Sequence, residues 1–307
     1  MMASFSEKTV SQYNSSFKSW WTFCVNNNVD YCNAEVPEVI SYLTERFQSG
    51  ASYATLNTSR SALALVLGSA VTSHECINRL LKGIFRLRPP TPKYDMTWDP
   101  KQVLDYLSNC FPHERISLQE LSFKTITLLA IATAQRMQTL SLIKCNNIIS
   151  NDDGLLVKID DLIKTSRPGV YQPLLRLPYI IENEKICPAA ALNSYLDKTR
   201  TLRSDQSDYL FISFKKPHKK VGSQTLAHWV KSTLQKSGVD ISVFGAHSTR
   251  HASTSAAHRA GASLQVVRRA AGWSESSNVF LKYYKRELAP HNAGNDYVNS
   301  LFNSQID

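Results

Sequence analysis

His247 and Arg250 stand three residues apart, followed by Trp273 and then by a tyrosine pair, Tyr283 and Tyr284, in a basic setting. A phosphodiester under attack needs cationic hydrogen-bond donors around its oxygens, a proton carrier and a nucleophile. The stretch from His247 to Arg286 holds a candidate for each. His247 and Arg250 share one face if a helix begins at Ser248. Such a pair alone is common and usually decorates a surface. Its weight comes from its company: Arg136, Lys164, His247, Arg250, Trp273 and the late tyrosines, in that order. Arg136 closes an apolar segment, where a charge is a surface residue, a member of an ion pair, or a group pointing into a site.

The elements that must hold these residues are bounded by composition. A chain of 307 residues exceeds what one compact core usually holds, so two domains are expected. The 35 Lys and Arg outnumber the 25 Asp and Glu, giving a net charge of +10. That balance favours a polyanionic partner, the bland alternative being a basic surface kept for solubility. The six cysteines (Cys24, Cys32, Cys76, Cys110, Cys145, Cys187) are scattered, without C-x-x-C or paired His spacing. No metal or other cofactor is expected, and reduced thiols fit an intracellular protein. The N-terminal residues lack an apolar signal core, and the apolar segment between Lys124 and Arg136 is too short to span a bilayer. No membrane association is expected. No Gly-rich loop is present to cradle a nucleotide's phosphates, which disfavours a kinase-like enzyme.

Along the chain, residues 7–27 predict a helix with Val10, Tyr13, Phe17, Trp20, Trp21 and Cys24 as its core stripe. Pro37 opens a second helix through Val39, Ile40, Leu43 and Phe47. A third runs from about 54 to 67, and a fourth from about 74 to 85. Three prolines within 89–92 then force an extended linker. Its flanking Arg86, Arg88 and Lys93 suit either a strap across a phosphate backbone or an ordinary solvated segment. Helices are expected at 101–110 and 117–134, then at 188–198 and 223–236. Residues 155–159 predict a strand, 163–169 its end and turn, and 172–177 the return strand. Lys215, Lys216, Lys219 and Lys220 form a basic loop, read as a solvated face, a phosphate contact or a weak nuclear address. Tyr297, Val298, Leu301 and Phe302 have the spacing of one short amphipathic helix.

Together these motifs resemble the tyrosine recombinase (phage integrase-like) family, most closely the eukaryotic recombinases of DIRS/Ngaro and Crypton mobile elements. The resembling stretches are Gln135–Leu140, Leu162–Gly169, Lys216–His218, Ala246–Arg250 and Phe280–Tyr284. The resemblance covers the catalytic half well and the helical N-terminal half in layout only. It implies a mainly α fold with a small antiparallel β-sheet in the catalytic domain (α+β). It implies domains at 1–88 (helical, core-binding), 89–98 (basic Pro-rich linker) and 99–290 (catalytic), with a tail at 291–307 that docks on a neighbouring protomer.

The implied activity is site-specific cleavage and rejoining of DNA through a 3′-phosphotyrosyl intermediate, for integration or excision of a mobile element. The implied partners are double-stranded DNA and three further copies, a homotetramer on two duplexes. The implied location is nuclear. Arg136 and Arg250 would grip phosphate oxygens with planar forks. His247 would donate to the phosphate or take the tyrosine proton, and Lys164 would protonate the leaving 5′-oxygen. Trp273, where the family often has His, would keep a hydrogen bond and exclude proton transfer. Spacing from Trp273 selects Tyr283 as nucleophile; local register selects Tyr284 and implies one extra residue within 274–279. Arg167 joins the linker and loop cations as an expected DNA contact. Ala134 stands where many bacterial relatives carry Gly. A type IB topoisomerase-like enzyme and a catalytically dead DNA-binding relative remain as alternatives.

Overall fold

The computed structural model describes residues 5–91, 94–203, 208–274 and 276–288. Lys93, the tail residues 291–307 and the side chain of Tyr283 lie outside that set. The chain divides into two compact units, Met1–Pro92 and Lys93–Asp307.

The first unit is helical: α1 (Glu7–Asn27), α2 (Val36–Gln48), α3 (Tyr53–Leu67), the single turn α4 (Ser69–Thr72) and α5 (Glu75–Leu87). Local signals set the ends. The Ser6 side chain accepts from Thr9 N at the start of α1, and Asn28 closes it in the left-handed conformation. Trp20, Phe23, Tyr42, Leu43, Leu56, Leu63, Ile77 and Leu81 form the core. Trp21 departs from the expected stripe and is 58% exposed. It points about 100° away from Trp20, which is wholly buried, so the two cannot share one face. Arg88, expected as a free linker cation, donates to the carbonyls of Ala51 and Phe47 and lies 4.3 Å over the Phe47 ring.

The second unit opens with strand β1 (Met96–Thr97) and continues through α6 (Pro100–Asn109), α7 (Leu118–Thr133) and the turn α8 (Met137–Leu140). Strands β2 (Ile148–Asn151), β3 (Gly154–Lys158) and β4 (Leu174–Pro178) form an antiparallel sheet in the order β2-β3-β4. Helices α9 (Pro188–Thr199), α10 (Ser223–Lys236), α11 (Ser248–Arg259) and α12 (Leu264–Ala270) follow, then a π-helical turn Phe280–Tyr284 and strand β5 (Glu287–Leu288). β5 pairs in parallel with β1, with Met96 opposite Glu287.

Two features of the sheet differ from expectation. β2 was not foreseen; it pairs with β3 across the Asp152–Asp153 turn, with Asn151 opposite Gly154. Gly154 is required there, because a Cβ would sit 2.2 Å from the Leu177 carbonyl oxygen. The return strand starts at Leu174, not Gln172, and pairs from Lys158. Pro168, Gly169 and Pro173 withhold ladder donors or backbone stiffness, so residues 160–173 form a long, mostly exposed loop after the buried Ile159. Among the described residues, no helix is long and apolar enough to cross a membrane.

α7 is the central rod. Ser117 and Glu120 cap it reciprocally, and eleven of its sixteen residues, among them all of 121–130, are buried, with α9, α10 and α11 packed on it. It ends at Ala134, which adopts φ 50°, ψ 25°. A left-handed L-residue costs about 1–2 kcal/mol, which glycine escapes. Ala134→Gly should therefore raise the melting temperature by about 2–4 °C, the shift expected from ~1 kcal/mol at this size; a lower melting temperature would contradict the strain.

One buried histidine links this core to pH. Burial pushes His113 down to about 4, and the nearby Lys124 charge adds to the shift while Glu114 opposes it. In the folded state the imidazole stays neutral below the pH at which the unfolded chain takes up a proton, near 6.5. The unfolded state then binds more protons, so stability should fall as pH drops from about 6.5 towards 4. Melting curves of wild type and His113→Gln over that range check this; the variant should lose less stability on acidification.

Candidate active site

The hinge of the site is the loop leading into α11. Two hydroxyls and an indole pin it: Ser248 Oγ donates to Gly245 O at 2.7 Å, Thr249 Oγ1 to Ala246 O at 2.7 Å, and Trp98 Nε1 to Ser248 Oγ at 2.8 Å. His247 thereby sits at the N-cap of α11, exposed, and Arg250 lies in its first turn.

Arg250 is 1% exposed. Its Nη2 donates to the Ala271 carbonyl at 2.7 Å. Its guanidinium lies 4.6 Å over the Trp273 ring and 5.5 Å over the Tyr284 ring. Burial lowers its pKa from the ordinary arginine value; the charge of Arg136 adds to the shift, and Tyr284 opposes it. Two arginines therefore feel each other's charge, an arrangement that an anion between them would relieve.

Trp273 is delivered by the end of α12. Gly272 takes φ 65°, Gly272 N donates to Arg269 O, and Trp273 N donates to Arg268 O. These are the paired bonds of a Schellman motif, which needs a left-handed residue where Gly272 stands. Arg136 is delivered by the left-handed turn at Ala134 and caps α8. Gln135, missed by sequence reasoning, donates to Ala270 O at 2.9 Å and fastens the Arg136 loop to the end of α12.

Tyr284 ends the π turn, which Lys285 N closes by donating to Phe280 O at 2.8 Å. Its ring is 8% exposed. Tyr284 Oη and His247 Nε2 are 3.1 Å apart, within hydrogen-bond reach. Ser255 on α11 donates to the Tyr284 carbonyl at 2.5 Å and accepts from Arg286 N at 3.1 Å. His251 stacks on the Tyr284 ring at 4.1 Å. Neither Ser255 nor His251 was picked out beforehand. Their signal was faint: His251 and Ser255 follow Arg250 by one and five residues, about 100° and 140° round the helix from it, so no shared face marked them.

The structure thus brings His247, Arg250, Trp273 and Tyr284 into contact, with Arg136 close enough for its charge to act on Arg250. Lys164 is not brought in. It is exposed on the loop between β3 and β4, and no hydrogen bond, ion pair or ring contact joins it to this group among the described residues. Arg86, Arg167, Lys215, Lys216 and Lys219 are likewise exposed, while Lys220 Nζ lies 3.0 Å over the Tyr209 ring.

The site's chemistry is read from what it lacks. Arg250 Nε, Arg250 Nη1 and Trp273 Nε1 are buried donors without an acceptor. Such donors, facing no protein acceptor, can be shared by the oxygens of an anion. Cationic forks and an indole around a phenol suit a tetrahedral oxyanion. Among the described residues, no cluster of His, Cys, Asp or Glu could hold a metal.

The second unit, mainly helical with a three-stranded antiparallel sheet, has the tyrosine recombinase catalytic fold. The model of the phage integrase family matches residues 99–289, more than half of the chain, and the protein belongs to that family. The fold is similar to a crystal structure of a lambda integrase dimer bound to a COC′ core site (TM-score 0.56, 17% identity, covering 92% of this chain and 90% of that one). It is also similar to a lambda integrase tetramer bound to a Holliday junction (0.55, 17%, 90% and 75%). A third similar structure is the Tn1549 transposon integrase in complex with circular intermediate DNA (0.52, 13%, 82% and 81%). Comparison with curated protein sequences gives no match.

Ser255→Ala removes the two bonds that Ser255 makes to the backbone around Tyr284. Each is worth about 0.5–1.5 kcal/mol, so amide exchange in residues 280–288 should speed up about tenfold while α7 is unaffected. Unchanged exchange in that segment would show that Ser255 does not anchor it.

Proposed function

We propose that this protein is a site-specific DNA recombinase that integrates or excises a mobile element. The observation that carries the reading is the set of unpaired buried donors on Arg250 and Trp273 beside the Tyr284 hydroxyl. The scissile phosphate fills the acceptor place. Arg250 offers two N–H groups, Arg136 a second guanidinium, and Trp273 one N–H. Donors fixed in advance towards developing charge are the largest single source of such catalysis.

His247 takes the phenol proton, and Tyr284 Oη forms a bond to phosphorus as the bond to the 5′-oxygen breaks. Lys164, on its long loop, gives that oxygen its proton once the loop meets DNA. The 3′-phosphotyrosyl bond keeps the energy of the broken ester, and a 5′-hydroxyl from the partner duplex reverses the step. Tyr284 is the nucleophile in this reading; its hydroxyl and ring touch the cluster.

The exposed cations Arg86, Arg167, Lys215, Lys216 and Lys219 suit phosphate contacts, which position a duplex without reading it. Residues 1–88 act as the core-binding domain, 89–98 as the linker, 99–290 as the catalytic domain and 291–307 as a tail exchanged between protomers. Strand exchange between two duplexes calls for four active sites, hence a tetramer on DNA. The resemblance of the motifs to DIRS/Ngaro and Crypton recombinases supports a eukaryotic element and work in the nucleus.

The test is covalent trapping on nicked DNA from the flanks of the protein's own gene. The adduct should be lost in Tyr284→Phe and kept in Tyr283→Phe. Arg250→Ala should slow its formation by about 10²–10³, the loss typical of one preorganised donor. An adduct that survives in Tyr284→Phe would reject this nucleophile. Relaxed plasmid without recombinant products would favour a topoisomerase.

A further inference from the structure

His251 has no part in the reaction as written above, yet it makes the closest ring contact with Tyr284. The two rings are 4.1 Å apart and 19° from parallel. Trp273 meets the same ring at 4.8 Å and 55°, and His247 at 6.1 Å and 74°. His251 is held in turn. The Tyr94 ring meets it edge-on at 5.1 Å, and the His247 ring does so at 5.6 Å. Tyr94 is 4% exposed, stacks on Phe244 at 5.8 Å and accepts from Gly245 N through its hydroxyl.

A tyrosine nucleophile must hold its oxygen in line with the bond that breaks. Ser255 fixes the Tyr284 carbonyl, which leaves the side-chain torsions free. The His247 contact fixes the hydroxyl only while the proton lies between them. The flat contact with His251 constrains the ring before, during and after that transfer. We propose that His251 is a positioning residue for the nucleophile: it sets the plane of the Tyr284 ring by stacking, with Tyr94 as its buttress. This rests on the reading of Tyr284 as nucleophile. Misplacement of a reacting atom by about 1 Å can cost on the order of 100-fold in rate, so a stack of this kind matters to the chemistry and not to DNA affinity.

The experiment compares wild type, His251→Phe, His251→Leu and Tyr94→Leu on the same nicked DNA. DNA affinity at fixed salt, the single-turnover rate of adduct formation and the melting temperature are measured for each. A phenyl ring can stack where an isobutyl group cannot. His251→Leu should slow adduct formation about 10- to 100-fold with affinity unchanged, and Tyr94→Leu should slow it less at the same step. His251→Phe should stay within about threefold of wild type by the same argument. The proposal is overturned if His251→Leu reacts as fast as wild type, or if His251→Phe is as slow as His251→Leu, which would make the imidazole's own chemistry the cause. It is overturned together with the reading beneath it if wild type gives no adduct or the adduct maps to Tyr283. Mapping the adduct by mass spectrometry separates these two failures.

Discussion

The second unit is organised around one costly arrangement: the Arg250 guanidinium is buried with two of its N–H-bearing nitrogens unsatisfied. An unsatisfied buried donor costs roughly 1–3 kcal/mol, and more when it is charged. What the protein itself supplies is partial. The Ala271 carbonyl accepts one bond, and two aromatic faces lie against the cation. Each such face contributes about 0.5–2 kcal/mol. The remainder is left for a ligand, and the second arginine nearby makes the deficit larger. A fold selected only for stability would close this gap with a carboxylate. Among the described residues, neither Arg250 nor Arg136 has a salt-bridge partner.

Holding such a gap open requires stiff surroundings, and each wall is fixed by a local device. α7 is packed on nearly every side, so the turn at its end inherits a rigid base. Ala134 accepts a left-handed conformation to aim Arg136. Gly272 allows the Schellman turn that aims Trp273. Gln135 ties these two walls by one hydrogen bond. Lys164 stands apart from this economy, on an exposed loop. In the proposed reaction the division is sensible: the groups that bind charge are preformed, and the group that protonates the leaving oxygen arrives with the substrate.

Much of this was legible in the sequence, and what was not has identifiable causes. The long helices are written in apolar periodicity and in caps such as Ser6, Ser52 and Ser117, so their ends lie within a residue or two of expectation. His247, Arg250 and Trp273 could be singled out because charge and indole types are unusual in such a setting. The short strands were harder. β2 has four residues, and β1 and β5 have two each, too few to show a period. Their pairing depends on residues far apart in the chain. Ser255 and His251 were hidden for another reason: a serine and a histidine on a buried helix face look the same whether they fill a core or hold a tyrosine. Trp21 shows the converse, since adjacent aromatics read as one stripe although a helix turns them apart.

Spacing and register disagree over the two tyrosines, and the backbone that carries them is unusual. Tyr283 and Tyr284 lie ten and eleven residues after Trp273, and register favours the second only if one residue is extra. Sequence placed that residue in the loop at 274–279. The backbone itself is widened at Phe280–Tyr284, where Lys285 N bonds back to Phe280 O across a π turn. A π turn lodges one residue more per turn than an α turn, and such turns occur mostly where function demands a local change of direction. Here the widened turn ends at Tyr284, whose hydroxyl lies 3.1 Å from His247 and whose ring stacks on His251.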